Sequence, residues 1–563
     1  MLERRKTDWR LTVGLAAVLF LLVMVRYCAF GMEYYHQLDD YIQYHNYPSS
    51  GNFMALQQST GLLASRPLAG IADFFVWGPM FDNMIVGVAL ISVMYVAAVL
   101  IIWNILGRYF RVSAMLPVVI ALLPLGIEGT YWMSASTRVV VGMFFAALAA
   151  RAFLSWLDGK GWGWLILYLF LQLIPFGFYE QAGLLSITLT VGAAILEWTR
   201  RGKPLGRCAL SLWGLPAMGL YFLVTKLLAD GGVYSSRAEI LLPFTRYYWF
   251  SFLPKVLWQF FCAFLGGGFF TAAKGFVRGV RMIRSGELLL WTLGAAALCV
   301  LLWLLVRRWK PEREPKKMED APFWLALLSG VLLAAGPASL FLVLGNPWFS
   351  LRGTVTSFPG IALLADTLLL WILDRLSVRR GGPALLAALM AFAFCVAGAS
   401  EIKDYHDTYY NDQRIARLVL DTVAAEGIDA SSGRIGVMNL ESSYLPNQNF
   451  FYHEHIHGCT ESDWAFTGLL TALGGKVGVT PLPADPMYRG WNRAANHPSG
   501  FQVVYWFDGE SLTPVVLREL AENTYQIRDR EDKLLGVIWE EDGIGYIRRP
   551  EQLSPEQSYL LAD

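Results

Sequence analysis

A succession of long apolar runs constrains this chain more than any other feature of its sequence. The first extends from Leu11 to Phe30, and several more reach the roughly 20 residues that an α-helix needs to cross a bilayer. Charged residues make up only 16 % of the 563 residues, whereas soluble domains average about 25 %. The sequence therefore predicts a polytopic α-helical membrane protein. Its formal net charge of +1 gives no reason to expect a nucleic-acid partner.

The positions of Lys and Arg predict the topology, because these residues accumulate in cytoplasmic loops. Four basic residues precede the first run, which we interpret as an uncleaved anchor with a cytoplasmic N-terminus. The basic stretches 307–317 and 375–380 are both cytoplasmic only if the apolar piece 250–270 is interfacial or re-entrant; the alternative is twelve spans with one basic loop on the wrong side. The eleven expected spans are about 11–30, 82–106, 113–127, 139–157, 162–178, a sixth ending at 198, 208–228, 288–306, 322–344, 354–374 and 383–399.

The composition changes at Glu401 to that of a soluble domain. We therefore expect a membrane domain over residues 1–400 and an extracytoplasmic α/β domain over 401–563. Strand-like patterns occupy 433–439 and 500–506, and Leu512 to Asn523 has the pattern of a helix.

An acidic pair, Asp39 and Asp40, lies in the first predicted outward loop, residues 31–81. Charge beside hydrocarbon is costly and is usually retained for a purpose, although a solvated pair at the end of a helix is the simpler alternative. The other predicted outward loops also carry charged residues. Each of these could be an ordinary interfacial anchor. They are Arg66, Asp73, Glu128, Arg138, Glu180, Arg237, Arg246 and Arg352.

Carboxylates beside cations on one face are the groups needed to move a sugar from a lipid phosphate. The phosphate is already a good leaving group, so the enzyme needs a base for the incoming hydroxyl and cations for the departing phosphate. Either Asp39 or Asp40 would be the base, and the other would hold the acceptor, a metal or a structural partner. Arginine pairs with phosphate through two parallel hydrogen bonds. The first phosphate candidates are Arg66 and Arg352, and the second are Arg138 and Arg237.

Four short motifs carry a resemblance to a known family. They are Asp39–Tyr41, Ser65–Leu68, Phe178–Gln181 and Leu351–Arg352. Together with an N-terminal span, many further spans and a C-terminal soluble domain, they resemble the GT-C superfamily of membrane glycosyltransferases, and most of all its bacterial O-antigen glucosyltransferase branch. The resemblance covers about residues 8–400 in architecture, and the sequence of the C-terminal domain resembles no known family that would indicate its role.

The resemblance implies a polyprenyl-phosphate-linked monosaccharide donor and a glycan acceptor. It also implies inverting transfer outside the bacterial cytoplasmic membrane, with the first-loop aspartate as the base. Metal dependence varies within the superfamily, so a divalent metal is compatible with the resemblance, but no cofactor is specified. The expected substrate-binding residues are Tyr41, Glu128, Tyr131, Trp132, Glu180 and Gln181.

Three histidines, His453, His455 and His457, would share one face of a strand and could form a set of zinc ligands. No fourth ligand stands at a suitable spacing, so an acceptor-binding surface is the preferred interpretation. Two other function classes remain open: a transporter or flippase of a lipid-linked saccharide, and a non-catalytic polysaccharide-assembly protein. Transporters place ionisable residues near the middle of spans and often have repeated halves, whereas these acids stand at predicted span ends and no repeat is evident.

Overall fold

The computed structural model describes residues 9–60, 63, 66–228, 241–308, 322–345, 348–377, 381–428, 434–440, 458–475, 478–482, 488–489, 501–522, 524–541 and 544–561. The chain forms two compact units. Unit 1 lies mainly within Met1–Tyr34 and Gly51–Lys403, and unit 2 within Tyr35–Ser50, Asp404–Asn449 and His455–Asp563. The predicted first loop, 31–81, is thereby divided between the two units.

Helices dominate the described residues, and several are joined end to end by single turns of 3₁₀- or π-helix. In chain order they are α1 (Trp9–Tyr27), α2 (Tyr47–Ser49), α3 (Phe53–Thr60), α4 (Pro67–Ala72), α5 (Met84–Leu106), α6 (Met115–Leu122), α7 (Ile127–Thr130), α8 (Met133–Leu157), α9 (Trp162–Leu171), α10 (Ile174–Phe178), α11 (Glu180–Arg201), α12 (Leu205–Cys208), α13 (Gly214–Leu227), α14 (Leu253–Phe260), α15 (Gly275–Arg284), α16 (Leu289–Arg308), α17 (Phe323–Ala338), α18 (Leu351–Thr354), α19 (Phe358–Arg375), α20 (Gly382–Ala425) and α21 (Asp463–Ala472).

Ten helices in the described part of the chain are long and apolar enough to cross a membrane. This confirms the predicted class of polytopic helical membrane protein. Eight of them match expected spans. The helix Pro67–Leu106 contains the expected span 82–106 and begins earlier in the sequence. The tenth is the 37-residue helix Tyr248–Arg284. The latter contains the apolar piece 250–270, and whether it crosses or lies at the interface stays a prediction.

Two of the eleven expected spans are not single long helices. The expected span 113–127 is broken after α6, where Leu123 takes a ψ of 120° in front of Pro124, because a residue before proline is pushed out of the helical region. The buried Arg26 of α1 donates to the Leu122 carbonyl oxygen at 3.1 Å and so satisfies a group that the broken helix leaves open. The expected span 162–178 is the shorter apolar helix Trp162–Phe178.

The C-terminal ends of α5, α8 and α11 meet in a cluster of ion pairs in unit 1. Arg108, just beyond α5, places Nη2 2.7 Å from Asp158 Oδ1, just beyond α8. Its Nε lies 2.7 Å from Oε1 of Glu197, which is fully buried near the end of α11. Burial acts to raise the pKa of Asp158, but the hydrogen bonds from Arg108 and the positive charges of Arg108, Lys203 and Arg201 together outweigh it, so the pKa is lowered. Three turns predicted to share one side of the membrane therefore lie together.

Unit 2 contains the strands. They are β1 (Arg434–Met438), β2 (Gly478–Leu482), β3 (Tyr488–Arg489), β4 (Val503–Phe507), β5 (Leu512–Pro514), β6 (Val516–Ala521), β7 (Thr524–Arg528), β8 (Leu534–Glu541) and β9 (Ile544–Arg548). One sheet has the order β2-β1-β4-β5, with β1 parallel to β2 and β4; the other, β3-β9-β8-β7-β6, is antiparallel. Helix α21 connects β1 to β2. A shared core contains Met438, Trp506 and Ile538.

The predicted helix from Leu512 to Asn523 is wrong. Leu512–Pro514 is β5, which pairs antiparallel with β4, and Val516–Ala521 is β6, which pairs with β7. Pro514 is unsuited to a helix interior, and it is flanked by the β-branched residues Thr513, Val515 and Val516. Pairing of β5 with β4 and of β6 with β7 decided the structure. The strand predictions at 433–439 and 500–506 are confirmed by β1 and β4.

Candidate functional site

Arg66 is held by two side chains of unit 1 at the start of α4. Its Nε donates to Glu180 Oε2 at 3.2 Å, and Glu180 is the first residue of α11. Glu180 Oε1 in turn accepts a hydrogen bond from the Tyr221 hydroxyl of α13 at 2.8 Å. The guanidinium group also lies over the ring of Tyr179, 4.8 Å from its centre. Arg66 therefore has a fixed orientation although its side chain is 29 % exposed.

The terminal nitrogens of Arg66 are the part of this arrangement that remains for a ligand. Within the described residues, the only hydrogen bond or ion pair of the Arg66 side chain is the one from Nε to Glu180. A guanidinium fixed at Nε presents its two terminal N–H edges in the geometry that suits phosphate oxygens. Arg66 thus has the form of an anion-binding side chain.

Tyr179 is the residue around which the charged side chains collect. It is 6 % exposed and directly precedes α11. The charges of Arg66, Arg352, Glu180 and Glu128 all act on its phenol. Four residues predicted from separate stretches of sequence are therefore neighbours in unit 1.

Arg352 reaches this group from α18. Its guanidinium lies 5.6 Å from the ring centre of Trp132, in the range of a cation–π contact. The backbones approach closely there: a Cβ on Gly129 would lie 2.9 Å from the Arg352 carbonyl oxygen and 3.0 Å from its Cα. Glycine at position 129 is thus needed to bring α7 and α18 together.

Tyr131 and Trp132 are both fully buried. The Tyr131 ring packs against those of Tyr27, 5.0 Å away, and Tyr34, 5.2 Å away. The Tyr34 hydroxyl accepts a hydrogen bond from the Met133 backbone N–H at 2.8 Å. These contacts tie the end of α1 to the start of α8, so Tyr131 belongs to an aromatic core beside the charged group.

Arg138, a second-choice phosphate candidate, is engaged within the protein. Its Nη2 forms a hydrogen-bonded ion pair with Asp73, and its Nη1 donates to the Ser134 carbonyl oxygen at 2.7 Å and to Thr137 Oγ1 at 3.1 Å. The residue is 8 % exposed. A buried arginine with both terminal nitrogens occupied joins the Asp73 segment to α8, which is a structural role.

Gln181 has a different environment from its neighbour Glu180. It is 2 % exposed, and neither its amide nitrogen nor its amide oxygen has a hydrogen-bond partner in the described part of the chain. Both atoms would be 3.3 Å from a Cβ at Gly353, beside Arg352. A buried amide without partners costs free energy, so Gln181 is suited to bind a polar group supplied from outside the protein.

Asp39 and Asp40 lie in unit 2 and have unlike surroundings. Asp39 is partly exposed, whereas Asp40 is fully buried. Asp40 Oδ2 accepts a hydrogen bond from the Gln37 backbone N–H at 2.9 Å. Adjacent residues thus divide into one accessible carboxylate and one that stabilises its own turn.

Tyr41, predicted to bind substrate, is 2 % exposed in unit 2. Its hydroxyl accepts a hydrogen bond from Gln413 Nε2 at 3.3 Å. Burial, followed by the nearby Cys459 and Asp412, raises the pKa of Tyr41 well above its usual value. The phenol therefore stays neutral and acts as a hydrogen-bonding group.

Arg237 and the histidine run at 453, 455 and 457 fall outside the described residues. Among the residues that are described, no group of three or more His, Cys, Asp and Glu side chains could hold a metal ion.

The sequence did not lead us to two tyrosines that contact the charged side chains around Arg66 and Glu180. Tyr179 stands inside a quoted motif, directly before Glu180, and could have been found there. Tyr221 lies within an apolar span, 41 residues from the carboxylate that it holds, and nothing in its local sequence indicates that contact.

No protein-family model matches this chain, and no curated protein matches it.

Proposed function

We propose that this protein is a glycosyltransferase of the GT-C type. It transfers a monosaccharide from a polyprenyl-phosphate donor to a cell-surface polysaccharide or other glycan, with inversion at the anomeric carbon. It acts in the bacterial cytoplasmic membrane, with its N-terminus in the cytoplasm and unit 2 outside. The ten apolar helices support a bilayer environment, in which a polyprenyl donor is soluble.

The environment of Arg66 carries the proposal. One edge of its guanidinium is fixed by Glu180, its face is on Tyr179, and its side chain is still 29 % exposed. Such a preorganised cation stabilises charge that develops on a departing phosphate without reorganising at the moment of reaction. Arg352, which also acts on Tyr179, supplies a second positive charge.

In the proposed reaction, the bond between the anomeric carbon and the phosphate oxygen breaks while the acceptor hydroxyl oxygen attacks the same carbon. The hydroxyl proton passes to a carboxylate, and the phosphate leaves with the electron pair of the broken bond. We assign the base to Asp39, because it is partly exposed and Asp40 is buried and hydrogen-bonded. Gln181 has the donor and acceptor atoms to recognise a sugar hydroxyl.

A transporter or flippase is the second candidate, and a non-catalytic assembly protein is the third. The position of these charged side chains favours the enzyme over the transporter: Arg66 directly precedes the candidate span Pro67–Leu106 and Glu180 begins the candidate span Glu180–Arg201, so both stand at the ends of candidate spans. Transporter sites usually lie near mid-membrane in discontinuous helices.

The test is release of polyprenyl phosphate by purified protein in proteoliposomes. The donor sugar and acceptor would first be identified by mass analysis of surface glycans from cells with and without the gene. A transferase releases polyprenyl phosphate in step with glycosylated acceptor. A flippase moves the intact lipid-linked sugar between leaflets, and an assembly protein does neither, so either of these results would overturn the proposal. Omitting and restoring divalent metal in the same assay tests metal dependence.

A further inference from the structure

The turn that carries the acidic pair has an unusual backbone. Leu38 has a φ of +38°, in the left-handed region that residues other than glycine rarely adopt. The Asp40 backbone N–H donates to the Gln37 carbonyl oxygen at 2.9 Å, which closes the turn over Leu38 and Asp39. A conformation of this kind persists only where the surroundings enforce it, and such positions concentrate at functional sites.

The second half of α20 makes one set of enforcing contacts, all inside unit 2. Gln37 Nε2 donates to the Tyr405 carbonyl oxygen at 3.2 Å, and Gln413 Nε2 donates to the Tyr41 hydroxyl at 3.3 Å. The ring of Tyr35 meets that of His406 edge-on at 5.1 Å. The turn is therefore held on both sides by residues more than 360 positions away in sequence.

The segment that precedes and includes α21 makes the other set. The Leu38 backbone lies close to the Cys459 thiol. The Cys459 backbone N–H donates to both oxygens of Asp412 at 3.0 Å, and all three residues are buried. Gly468 of α21 packs against the helical turn Tyr41–Asn46, where an added Cβ would lie 2.6 Å from Ile42 Cδ1.

We propose that the C-terminal part of unit 2 fixes the turn that carries Asp39, and that Gln413 and Gly468 act as positioning residues for it. This inference rests on the proposed function for its catalytic meaning. It gives the C-terminal domain a role: the turn that carries the partly exposed first-loop carboxylate packs within that domain, which fixes the orientation of the carboxylate. Small displacements of a catalytic group lower rates by up to about a hundredfold.

The test uses the full chain in nanodiscs with the variant Gly468→Leu, which crowds Ile42. Two measurements do not depend on activity: deuterium uptake of the 35–46 peptide, and maleimide labelling of Cys459 relative to Cys395, a buried thiol in unit 1 that reports general unfolding. We expect the ratio of Cys459 to Cys395 labelling and the uptake to rise. Adding Ile42→Ala should restore both, because it makes room for the new side chain.

A second variant, Gln413→Leu, removes the hydrogen bond to Tyr41 without adding bulk at α21. We expect it to raise deuterium uptake at 35–46. Unchanged deuterium uptake and an unchanged labelling ratio in both variants would overturn the proposal. It would also be overturned if Ile42→Ala restored neither measurement in the Gly468→Leu variant.

Transfer measurements separate this inference from the proposed function. Gly468→Leu should lower kcat by about ten- to a hundredfold at an unchanged KM for the donor, with recovery in the Ile42→Ala double variant. If Asp39→Asn keeps full transfer with wild-type labelling, the assignment of the base fails while the structural hold on the turn stands. If Gly468→Leu loosens the turn and transfer is unchanged, the positioning role is overturned.

Discussion

Arg66 and Glu180 form an ion pair, Nε to Oε2 at 3.2 Å, that joins the starts of α4 and α11. The pair uses the Nε of the guanidinium. It leaves the two terminal nitrogens in a fixed plane above Tyr179. This relationship distinguishes Arg66 from Arg138, whose terminal nitrogens are both engaged within the protein.

Replacing Arg66 with Lys should lower transfer by roughly ten- to a hundredfold, because a charged hydrogen bond contributes about 1.5 to 3 kcal/mol and Lys lacks the planar fork. Initial rates of polyprenyl phosphate release measure the effect. The matched control is Arg111→Lys, in an exposed pair with Asp374 in unit 1, which should leave the rate unchanged. Wild-type rates in the Arg66 variant would contradict the phosphate-binding role.

Asp39→Asn should affect turnover, whereas Asp40→Asn should affect stability. Asp39→Asn should lower turnover by about a hundredfold or more without changing stability, because general bases contribute roughly 10² to 10⁴. Asp40→Asn should lower the free energy of unfolding by about 1 to 3 kcal/mol, since it disturbs a buried hydrogen bond to Gln37. Turnover and thermal unfolding, measured on the same samples, distinguish them. A stable but inactive Asp40 variant beside an active Asp39 variant would reverse the assignment.

Gly129→Ala should destabilise the protein by about 1 to 3 kcal/mol and weaken donor binding, because its Cβ would press on the Arg352 backbone. Thermal unfolding and the KM for the donor report the two effects. Gly163→Ala in α9 is the control, since a Cβ there meets no atom within 4 Å. Equal unfolding temperatures and equal KM values in the two variants would contradict the requirement for a close approach of α7 and α18.

Glu197→Leu should lower the free energy of unfolding by on the order of 3 kcal/mol, because removing one partner of a buried ion pair leaves the other uncompensated. Arg108 keeps its ion pair with Asp158, so the expected loss is at the lower end of the roughly 3 to 5 kcal/mol typical of a broken buried pair. The measurement is thermal unfolding in detergent. The comparison is Asp374→Asn in an exposed pair, for which a change of at most about 1 kcal/mol is expected; a similar loss in both variants would be the contrary result.

The contribution of Asp158 should depend on pH in a defined direction. Its folded-state pKa is lowered from the usual 3.8, so the stability that it adds is complete above that value and is lost as pH falls through the lower, folded-state pKa. The difference in unfolding temperature between the wild type and Asp158→Asn should be constant near neutral pH and shrink below about pH 4. A difference that grows on acidification would contradict the ion pair with Arg108.

Some relationships could be predicted because they follow from local composition. Apolar length and the deficit of charge are sufficient to predict a multi-pass helical protein, since the bilayer requires both of every spanning helix. The motif around Glu180 and the one around Arg66 were each recognisable as polar residues beside a span. That they touch at 3.2 Å was not, because 114 residues separate them.

The sequence by itself determined the class of protein and the chemical types collected in its predicted loops. The tertiary structure decided which of those side chains remain for a ligand. Arg138 is paired with Asp73. Asp40 is buried and hydrogen-bonded to Gln37. Strand pairing makes β5 and β6 of the segment 512–523 that was expected to be a helix. Asp73 is 65 residues from Arg138, whereas the partners of Asp40, β5 and β6 are close in sequence. In each case burial and hydrogen bonding in the folded chain outweigh local preference.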